Sequence, residues 1–281
     1  MWIFIGGMLA VALPAALFLA VKKLDLLQPR ADQTIVYSEA RGTPLHLHLF
    51  RARAGDDDRA PALLLFHGGG WRSGSARQFF GQCEYFSEQG ITCISAEYRL
   101  GPSHAPDVRG AIDDAAAALA YLHEHAEELG IDRARLAVGG GSSGGHLAAS
   151  LGAGLHGEDR DRPQTLVLYN PVLDLAPGTA SHHWVQEYWQ AVSPRQHLTA
   201  QFPATLILSG TEDREVPAAM LQAVCATLHA QDVTCELALY DKQGHGFFNP
   251  REGETQHFDS TNERVLAFLR QHWQAPSAAS R

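Results

Sequence analysis

The sequence has little of what metal-binding, redox and nucleic-acid-binding proteins require. Its four cysteines contain no C-x-x-C pair, which argues against a zinc site or a dithiol redox motif. We expect them to be buried as small apolar side chains, with disulfides an alternative only in an oxidising compartment. Only 22 lysines and arginines stand against 31 acidic residues, a net charge of -9, so nucleic acid is not an expected partner. These cysteines are Cys83, Cys93, Cys225 and Cys235.

A long apolar run occurs at the N-terminus. The residues from Trp2 to Val21 carry no charge, and a run of about twenty residues is what a helix needs to cross a bilayer. No basic segment precedes the run, and Lys22 and Lys23 follow it directly, so we predict an uncleaved membrane anchor rather than a cleaved signal peptide. Under the positive-inside rule these lysines favour a cytoplasmic position for the rest of the chain, with a periplasmic or secreted position as the alternative.

The remainder of the chain is typical of one α/β domain. Short apolar runs alternate with helical stretches, and runs that are apolar on both faces indicate a mostly parallel central sheet flanked by helices. A hairpin, 34–37 with 45–50, is predicted ahead of this pattern around Gly42-Thr43-Pro44. The predicted strands are 63–66, 91–96, 136–138, 165–169, 205–208 and 235–240, and the predicted helices are 108–129, 145–155, 218–230 and 261–273. The predicted organisation is an anchor (1–23), a linker (24–33), the α/β domain (34–274) and a disordered tail (275–281).

A serine lies in a glycine-rich turn between a predicted strand and a predicted helix. Gly141-Ser142-Ser143-Gly144-Gly145 satisfies G-x-S-x-G, the pattern of a nucleophile elbow, in which a strained turn lifts the serine hydroxyl above the sheet. We therefore predict Ser143 as a nucleophile. A phosphate-binding loop is the alternative, but it would need a lysine after the glycines, where this chain has His146 and Leu147.

A second glycine-rich loop follows the apolar run 63–66. His67-Gly68-Gly69-Gly70-Trp71 can turn backbone N–H groups toward a substrate carbonyl oxygen because no side chain obstructs them. The loop predicts an oxyanion hole. A plain flexible turn is the alternative.

A serine nucleophile needs a histidine base and an acid that orients it. Asp213 follows the strand predicted at 205–208, with Glu212 and Glu215 as fallback acids, and His245 follows the last predicted strand in a glycine-flanked loop. The order Ser, Asp, His is that of α/β-hydrolases. His46 and His48 share one face of a strand and could ligate a metal, but no third ligand is evident, so neither metal nor organic cofactor is expected.

Together these segments resemble the hormone-sensitive-lipase-like group of α/β-hydrolase esterases. The resemblance runs from Thr34 to Trp273 and rests on HGGGW, EYRL, GSSGGHLA, GTEDREVP and GHGF. It implies Ser143 as nucleophile, Asp213 as acid, His245 as base, and an oxyanion hole from the N–H groups of Gly69, Gly70 and Gly144. The chain departs from the group on either side of the predicted nucleophile, because Ser142 and Gly144 stand where the group has Asp and Ala.

The connection 173–202 is longer than most, and such connections often form functional lids. Its aromatic residues Trp184, Tyr188 and Trp189, with Trp71, are predicted to border the substrate, while His182 and His183 line a loop. The expected activity is hydrolysis of small or short-acyl esters. An arylformamidase or amidase, a carbohydrate acetyl esterase and a non-catalytic membrane-tethered binding protein are the alternatives. A peptidase is disfavoured by size, and the sequence gives no oligomeric state.

Overall fold

The computed structural model describes residues 29–40, 42–55, 58–102, 106–156, 162–250 and 255–273. The chain divides into two units, Met1–Arg30 and Ala31–Arg281, and the following concerns the second. The predicted anchor, the linker up to residue 28 and the predicted tail lie outside the described residues. In the part of the chain that is described, no helix combines the length and the apolar character that a bilayer crossing requires.

The centre of the domain is an eight-stranded sheet in the order β1-β2-β4-β3-β5-β6-β7-β8. β2 is antiparallel to β1 and to β4, and the other neighbours are parallel. The parallel strands are buried on both faces, which explains their nearly continuous apolar sequences. The strands are β1 Gln33–Ala40, β2 Thr43–Phe50, β3 Ala60–Phe66, β4 Thr92–Ala96, β5 Ile131–Gly141, β6 Thr165–Tyr169, β7 Ala204–Gly210 and β8 Cys235–Tyr240.

Helices cover both faces of the sheet. Those described are α1 Phe80–Glu88, α2 Val108–Glu124, α3 Ala126–Leu129, α4 Ser143–Gly152, α5 His182–Val185, α6 Trp189–Val192, α7 Ala218–His229 and α8 Gln256–Trp273. Side chains of α2, α4 and α7 join one apolar cluster, and those of α1 and α8 join another. Alternate residues of β3 divide between the two, since Leu64 belongs to the first and Leu65 to the second.

The predicted α/β class is confirmed, with differences at the element ends. The helix predicted at 108–129 is interrupted at His125 and becomes α2 and α3. The strand predicted at 136–138 is much longer, and β5 continues through Gly141 because this glycine pairs with Tyr169 of β6. Helix α1 was not predicted; its apolar residues Phe80, Cys83 and Phe86 recur every three residues, but the run is short.

The cysteines differ from the expectation of free thiols. They are buried as expected, but Cys83 in α1 is bonded to Cys93 in β4, and Cys225 in α7 to Cys235 in β8. Each pair spans ten residues of sequence, and its Cα atoms lie 4.9 and 5.2 Å apart, respectively. Sequence spacing alone did not reveal that each helix packs its cysteine against the strand that follows it. Each disulfide therefore ties a helix to the next strand.

Candidate active site

The turn between β5 and α4 presents a serine at the carboxyl edge of the sheet. The residue in this turn is Ser142, with φ 54° and ψ -117°, and α4 begins at the next residue. Its N–H donates to the carbonyl of Tyr169 at 2.9 Å. A Cβ atom on Gly140 would collide with the backbone of Gly144, so the turn closes only with glycine there. Positive φ at a non-glycine residue is strained, as expected of a nucleophile elbow.

A serine, a histidine and an aspartate form one hydrogen-bonded chain at this edge. The Nε2 atom of His245 lies 2.9 Å from the Oγ atom of Ser142. The Nδ1 atom of the same ring lies 2.8 Å from Oδ2 of Asp213. The predicted acid and base are therefore brought together, and Ser142 is the hydroxyl that they meet. We call this chain of contacts the Ser142 relay.

The structure corrects the choice of serine. Ser143 is fully buried, and its Oγ accepts a hydrogen bond from the N–H of Gly70 at 2.9 Å and lies 3.4 Å from the hydroxyl of Tyr98. It lies inside the first turn of α4 rather than on the exposed turn before it. The sequence contains a second, overlapping G-x-S-x-G, Gly140 to Gly144, in which Ser142 is the central serine. The prediction of Ser143 was thus one residue out of register.

Asp213 is fixed by its own loop. Its Oδ1 accepts the N–H groups of Glu215 and Val216, each at 2.9 Å, and its side chain is fully buried. Burial raises the pKa of this carboxyl, but the hydrogen bond from His245 and those two N–H groups outweigh it, so the pKa is lowered. Of the fallback acids, Glu215 lies 3.7 Å from the histidine Nε2 at the surface, and the side chain of Glu212 is exposed.

The electrostatics of His245 favour its protonation relative to a free imidazole. Burial lowers its pKa, but the hydrogen bond and the negative charge of Asp213 outweigh burial, and Glu215 adds to them. The net pKa is raised above the ordinary value of 6.5. An imidazolium formed here is therefore stabilised.

Two of the three predicted oxyanion donors border the site. Gly69 and Gly70 line the cleft, but Gly144 does not, since it packs against the backbone of Phe66 and His67. The shift in register explains this. The residue after Ser142 is Ser143, and as the first residue of α4 its N–H has no acceptor within the helix. Ser143 therefore takes the backbone position that was predicted for Gly144.

The relay opens into a cleft of about 470 Å³, within the usual size range of small-molecule sites. Trp71, Trp184 and His183 line the cleft, and the guanidinium of Arg72 stacks on Trp184 at 4.3 Å. The predictions for Tyr188 and Trp189 are not supported. Both pack against the core, where Arg109 covers Tyr188 and Trp189 contacts His182, so they do not line the cleft.

His46 and His48 share a carboxylate that no pattern in the sequence predicted to lie near them. Oε2 of Glu97 lies 2.8 Å from His46 Nδ1, and its Oε1 lies 3.2 Å from His48 Nε2. Within the described ranges no group of three or more such side chains is arranged to hold a metal ion. The three side chains form a hydrogen-bonded cluster between β2 and the residue that follows β4.

Sequence reasoning missed Asn170. This residue follows β6, is almost fully buried, and contacts both the ring of His245 and the N–H of Gly246. A polar residue at the carboxyl end of a buried strand was the available signal, because parallel strands deliver their ends to one edge.

The sheet order, the strained serine turn and the relay at the carboxyl edge define the hydrolase class to which this chain belongs. Residues 63–249 match the alpha/beta hydrolase fold family. Within that fold the chain is a member of the hormone-sensitive-lipase-like group of esterases, as the sequence motifs predicted.

Individual relatives are similar in sequence and structure. The chain is 33% identical to ethyl acetate hydrolase from Pseudomonas putida over 209 residues, which cover 68% of this chain and 64% of that protein. Carboxylesterase NlhH of Mycobacterium tuberculosis is 40% identical over 96 residues, 34% of this chain and 29% of its own length. The matched region thus spans less than two thirds of either relative.

A solved structure covers more of the chain. Esterase 2 from Thermogutta terrifontis with bound propionate has a TM-score of 0.79 and 32% identity, covering 88% of this chain and 96% of that one. The same esterase has also been solved with butyrate and after phosphorylation by paraoxon.

Proposed function

We propose that this protein is a serine carboxylesterase that hydrolyses short-acyl esters through Ser142, His245 and Asp213. The observation that carries the proposal is the 2.9 Å contact between His245 Nε2 and the Oγ of Ser142, with Asp213 on the opposite ring nitrogen. Short acyl groups are proposed because relatives are an ethyl acetate hydrolase and an esterase solved with propionate and with butyrate.

The proposed reaction is acyl transfer to water. His245 takes the proton of Ser142 as its oxygen attacks the ester carbonyl, and the resulting imidazolium is stabilised by the charge of Asp213. The developing oxyanion lies against the backbone N–H groups of Gly69 and Ser143, whereas the N–H of Gly70 is already bonded to the Oγ of Ser143. The imidazolium then gives its proton to the leaving alkoxide, and the same base activates water to release the acid.

Ser143 is proposed to have a supporting role. Its Oγ accepts the N–H of Gly70, so it can fix the oxyanion loop against α4. Among the described residues, its Oγ contacts the N–H of Gly70 and the hydroxyl of Tyr98, and neither is a histidine or carboxylate base. The two neighbouring serines therefore offer a matched pair of variants that separates nucleophile from support.

The proposal predicts very different outcomes for the two serines. Ser142→Ala should lower kcat on p-nitrophenyl butyrate by about 10⁵–10⁶-fold, the scale at which other serine hydrolases respond to loss of the nucleophile. Ser143→Ala should cost about tenfold or less, since one neutral hydrogen bond contributes on the order of 1 kcal/mol. Circular dichroism checks that both variants fold. Full turnover in Ser142→Ala, or complete loss only in Ser143→Ala, would contradict the assignment.

Covalent labelling tests the same assignment without choosing an ester. Paraoxon should phosphorylate the wild type at Ser142, located by peptide mass mapping, because a relative is phosphorylated by it. A non-catalytic binding protein should not react. A panel of p-nitrophenyl esters, acetylated sugars and N-formylkynurenine then separates a carboxylesterase from an acetyl esterase of carbohydrates or an arylformamidase.

We also infer that the domain works in an oxidising compartment. The two disulfides support this inference, since such bonds are rare in reducing cytosol. The membrane anchor from Trp2 to Val21 stays a prediction, and the disulfides favour its periplasmic or secreted alternative over the cytoplasmic position that two lysines alone had favoured. Fusing a periplasmic reporter enzyme to the C-terminus decides the side, because an inactive reporter would favour the cytoplasm.

A further inference from the structure

Asn170 occupies an unusual backbone position beside the base. It is 1% exposed, and its φ of 36° lies in the left-handed region, where asparagine is more readily accommodated than most residues. Its N–H donates to the carbonyl of Leu208 at 2.7 Å, so the backbone is tied to β7 as well as to β6. Strained residues cluster at functional sites, and this one faces His245.

The orientation of the Asn170 amide follows from its two contacts. Its Oδ1 accepts the N–H of Gly246 at 3.2 Å, and a backbone N–H can only donate, so the amide oxygen faces Gly246. The amide nitrogen Nδ2 therefore faces the imidazole, 3.3 Å from His245 Nε2. An amide nitrogen has only hydrogens to offer, so this contact requires an unprotonated Nε2.

We propose that Asn170 is a positioning residue that fixes the His245 ring as a neutral base, with its proton on Nδ1 and its Nε2 lone pair shared between the hydroxyl of Ser142 and the amide of Asn170. The proposal rests on the proposed function. The Asn170 oxygen anchors the loop that carries the ring, and the Asn170 nitrogen favours the protonation state that can accept the serine proton. Once Nε2 is protonated, two N–H groups face each other and the contact is lost.

In the described part of the chain, two charged groups contact the ring, and both are acidic. Asp213 contacts Nδ1 at 2.8 Å, and Glu215 lies 3.7 Å from Nε2. Both favour the imidazolium, and Asn170 opposes them with a neutral donor. The three side chains together therefore set the pH at which His245 becomes a free base.

Two substitutions separate the roles of the amide oxygen and nitrogen. Asn170→Gly keeps a residue suited to positive φ and removes both contacts. Asn170→Asp keeps an oxygen for the Gly246 N–H but places a carboxylate oxygen where the amide nitrogen was, which favours a protonated Nε2.

The expected readout is the acid limb of kcat/KM against pH. The midpoint should rise by about half a unit in Asn170→Gly, the scale of one weak neutral hydrogen bond. It should rise by about one unit or more in Asn170→Asp, because a full charge replaces a dipole. The rate of paraoxon labelling against pH should show the same order, without dependence on an ester substrate.

Asn249 provides the matched control. Its side chain donates to the carbonyl of the same Gly246 at 2.9 Å and does not contact the ring. Asn249→Ala should lower turnover by loosening the loop while leaving the acid midpoint where the wild type has it. Equal midpoints in wild type, Asn170→Gly and Asn170→Asp would overturn the proposal while the Ser142 assignment stands. Loss of the serine assignment would instead appear as full activity in Ser142→Ala.

Discussion

Two hydroxyl–imidazole–carboxylate chains occur among the described residues, and one of them has the surroundings of an active site. The first is the Ser142 relay. The second, which we call the Thr34 cluster, runs from Thr34 Oγ1 to His48 Nδ1 at 3.3 Å and from His48 Nε2 to Glu97 at 3.2 Å, with His46 on the same carboxylate. The Ser142 relay and the Thr34 cluster contain the same kinds of hydrogen bond. Comparing them therefore shows which features, besides these hydrogen bonds, an active site requires.

Burial is the first difference. The carboxylate of Asp213 is fully buried, whereas that of Glu97 is 35% exposed. Burial raises the pKa of Glu97, but hydrogen bonds from both histidines outweigh it and leave the pKa lowered, the same direction as in Asp213. Because water screens exposed charges, the lowered pKa of Glu97 contributes less to the stability of the fold than the lowered pKa of Asp213 does.

Backbone geometry is the second difference. Ser142 stands on a strained turn before a helix, beside a glycine loop and above a cleft. Thr34 lies within β1, directly opposite His48 in an antiparallel ladder. A strand interior has neither the exposed turn nor the free helical N–H groups that stabilise an oxyanion. The imidazole chain becomes a candidate site only where the fold adds these elements.

The sharpest test of this comparison is to change one carboxylate in each chain. Asp213→Asn should lower kcat by about 10⁴-fold, because an amide favours the wrong tautomer of the histidine. Glu97→Gln should leave kcat on p-nitrophenyl butyrate within about twofold of the wild type, because charge loss at an exposed pair has little effect. Comparable losses in both variants would mean that the Thr34 cluster takes part in turnover.

The sequence predicted the residues of the Ser142 relay better than those of the Thr34 cluster. Asp213 and His245 were predictable because each follows a buried strand in a loop, and parallel strands deliver such loops to one edge. Glu97 was not, because its meeting with His46 and His48 depends on β2 pairing antiparallel with β4. That pairing brings together residues about fifty positions apart, which no local pattern records.

The choice between the two serines needed the structure for a different reason. Both overlapping G-x-S-x-G patterns fit the sequence, and the predicted strand ended at Val138. The ladder instead continues through Gly141, so the next residue takes the turn. Strand ends are set by pairing with neighbours, and a glycine run gives no apolar signal for where pairing stops.

One disulfide joins elements next to the Ser142 relay, and the other joins elements next to the Thr34 cluster. Removing each disulfide is a second test, with a smaller expected effect on turnover. Cys225–Cys235 joins α7 to β8, between the loops of Asp213 and His245, while Cys83–Cys93 joins α1 to β4, which leads to Glu97. Each closes a short loop, so each double Cys→Ser variant should lose about 2–3 kcal/mol of unfolding free energy by chain-entropy arguments. Differential scanning calorimetry measures the loss.

The two disulfide variants should differ in activity before they unfold. Losing Cys225–Cys235 should lower kcat at temperatures well below Tm, because it loosens the supports of the acid and base. Losing Cys83–Cys93 should lower Tm alone and leave kcat near that of the wild type. Equal kcat losses would indicate that the Cys225–Cys235 disulfide supports the Ser142 relay no more than the Cys83–Cys93 disulfide does.

Acidification should separate the two chains by the smallest effect, about tenfold in rate per pH unit. The pKa of His245 is raised above 6.5, so kcat/KM should fall as pH drops through that raised value, where the base becomes protonated.

The stability that this imidazolium contributes depends on pH in the opposite direction, because it is fully present below 6.5 and is lost as pH rises through the folded pKa. Glu97, with a pKa lowered from 4.5, contributes stability above 4.5 that is lost only as pH falls further. Activity should therefore decline while the Thr34 cluster is still intact, and Glu97→Gln should not move the midpoint of kcat/KM. A shifted kcat/KM midpoint in Glu97→Gln would mean that the Thr34 cluster is electrostatically coupled to the Ser142 relay, which would contradict the distinction between them.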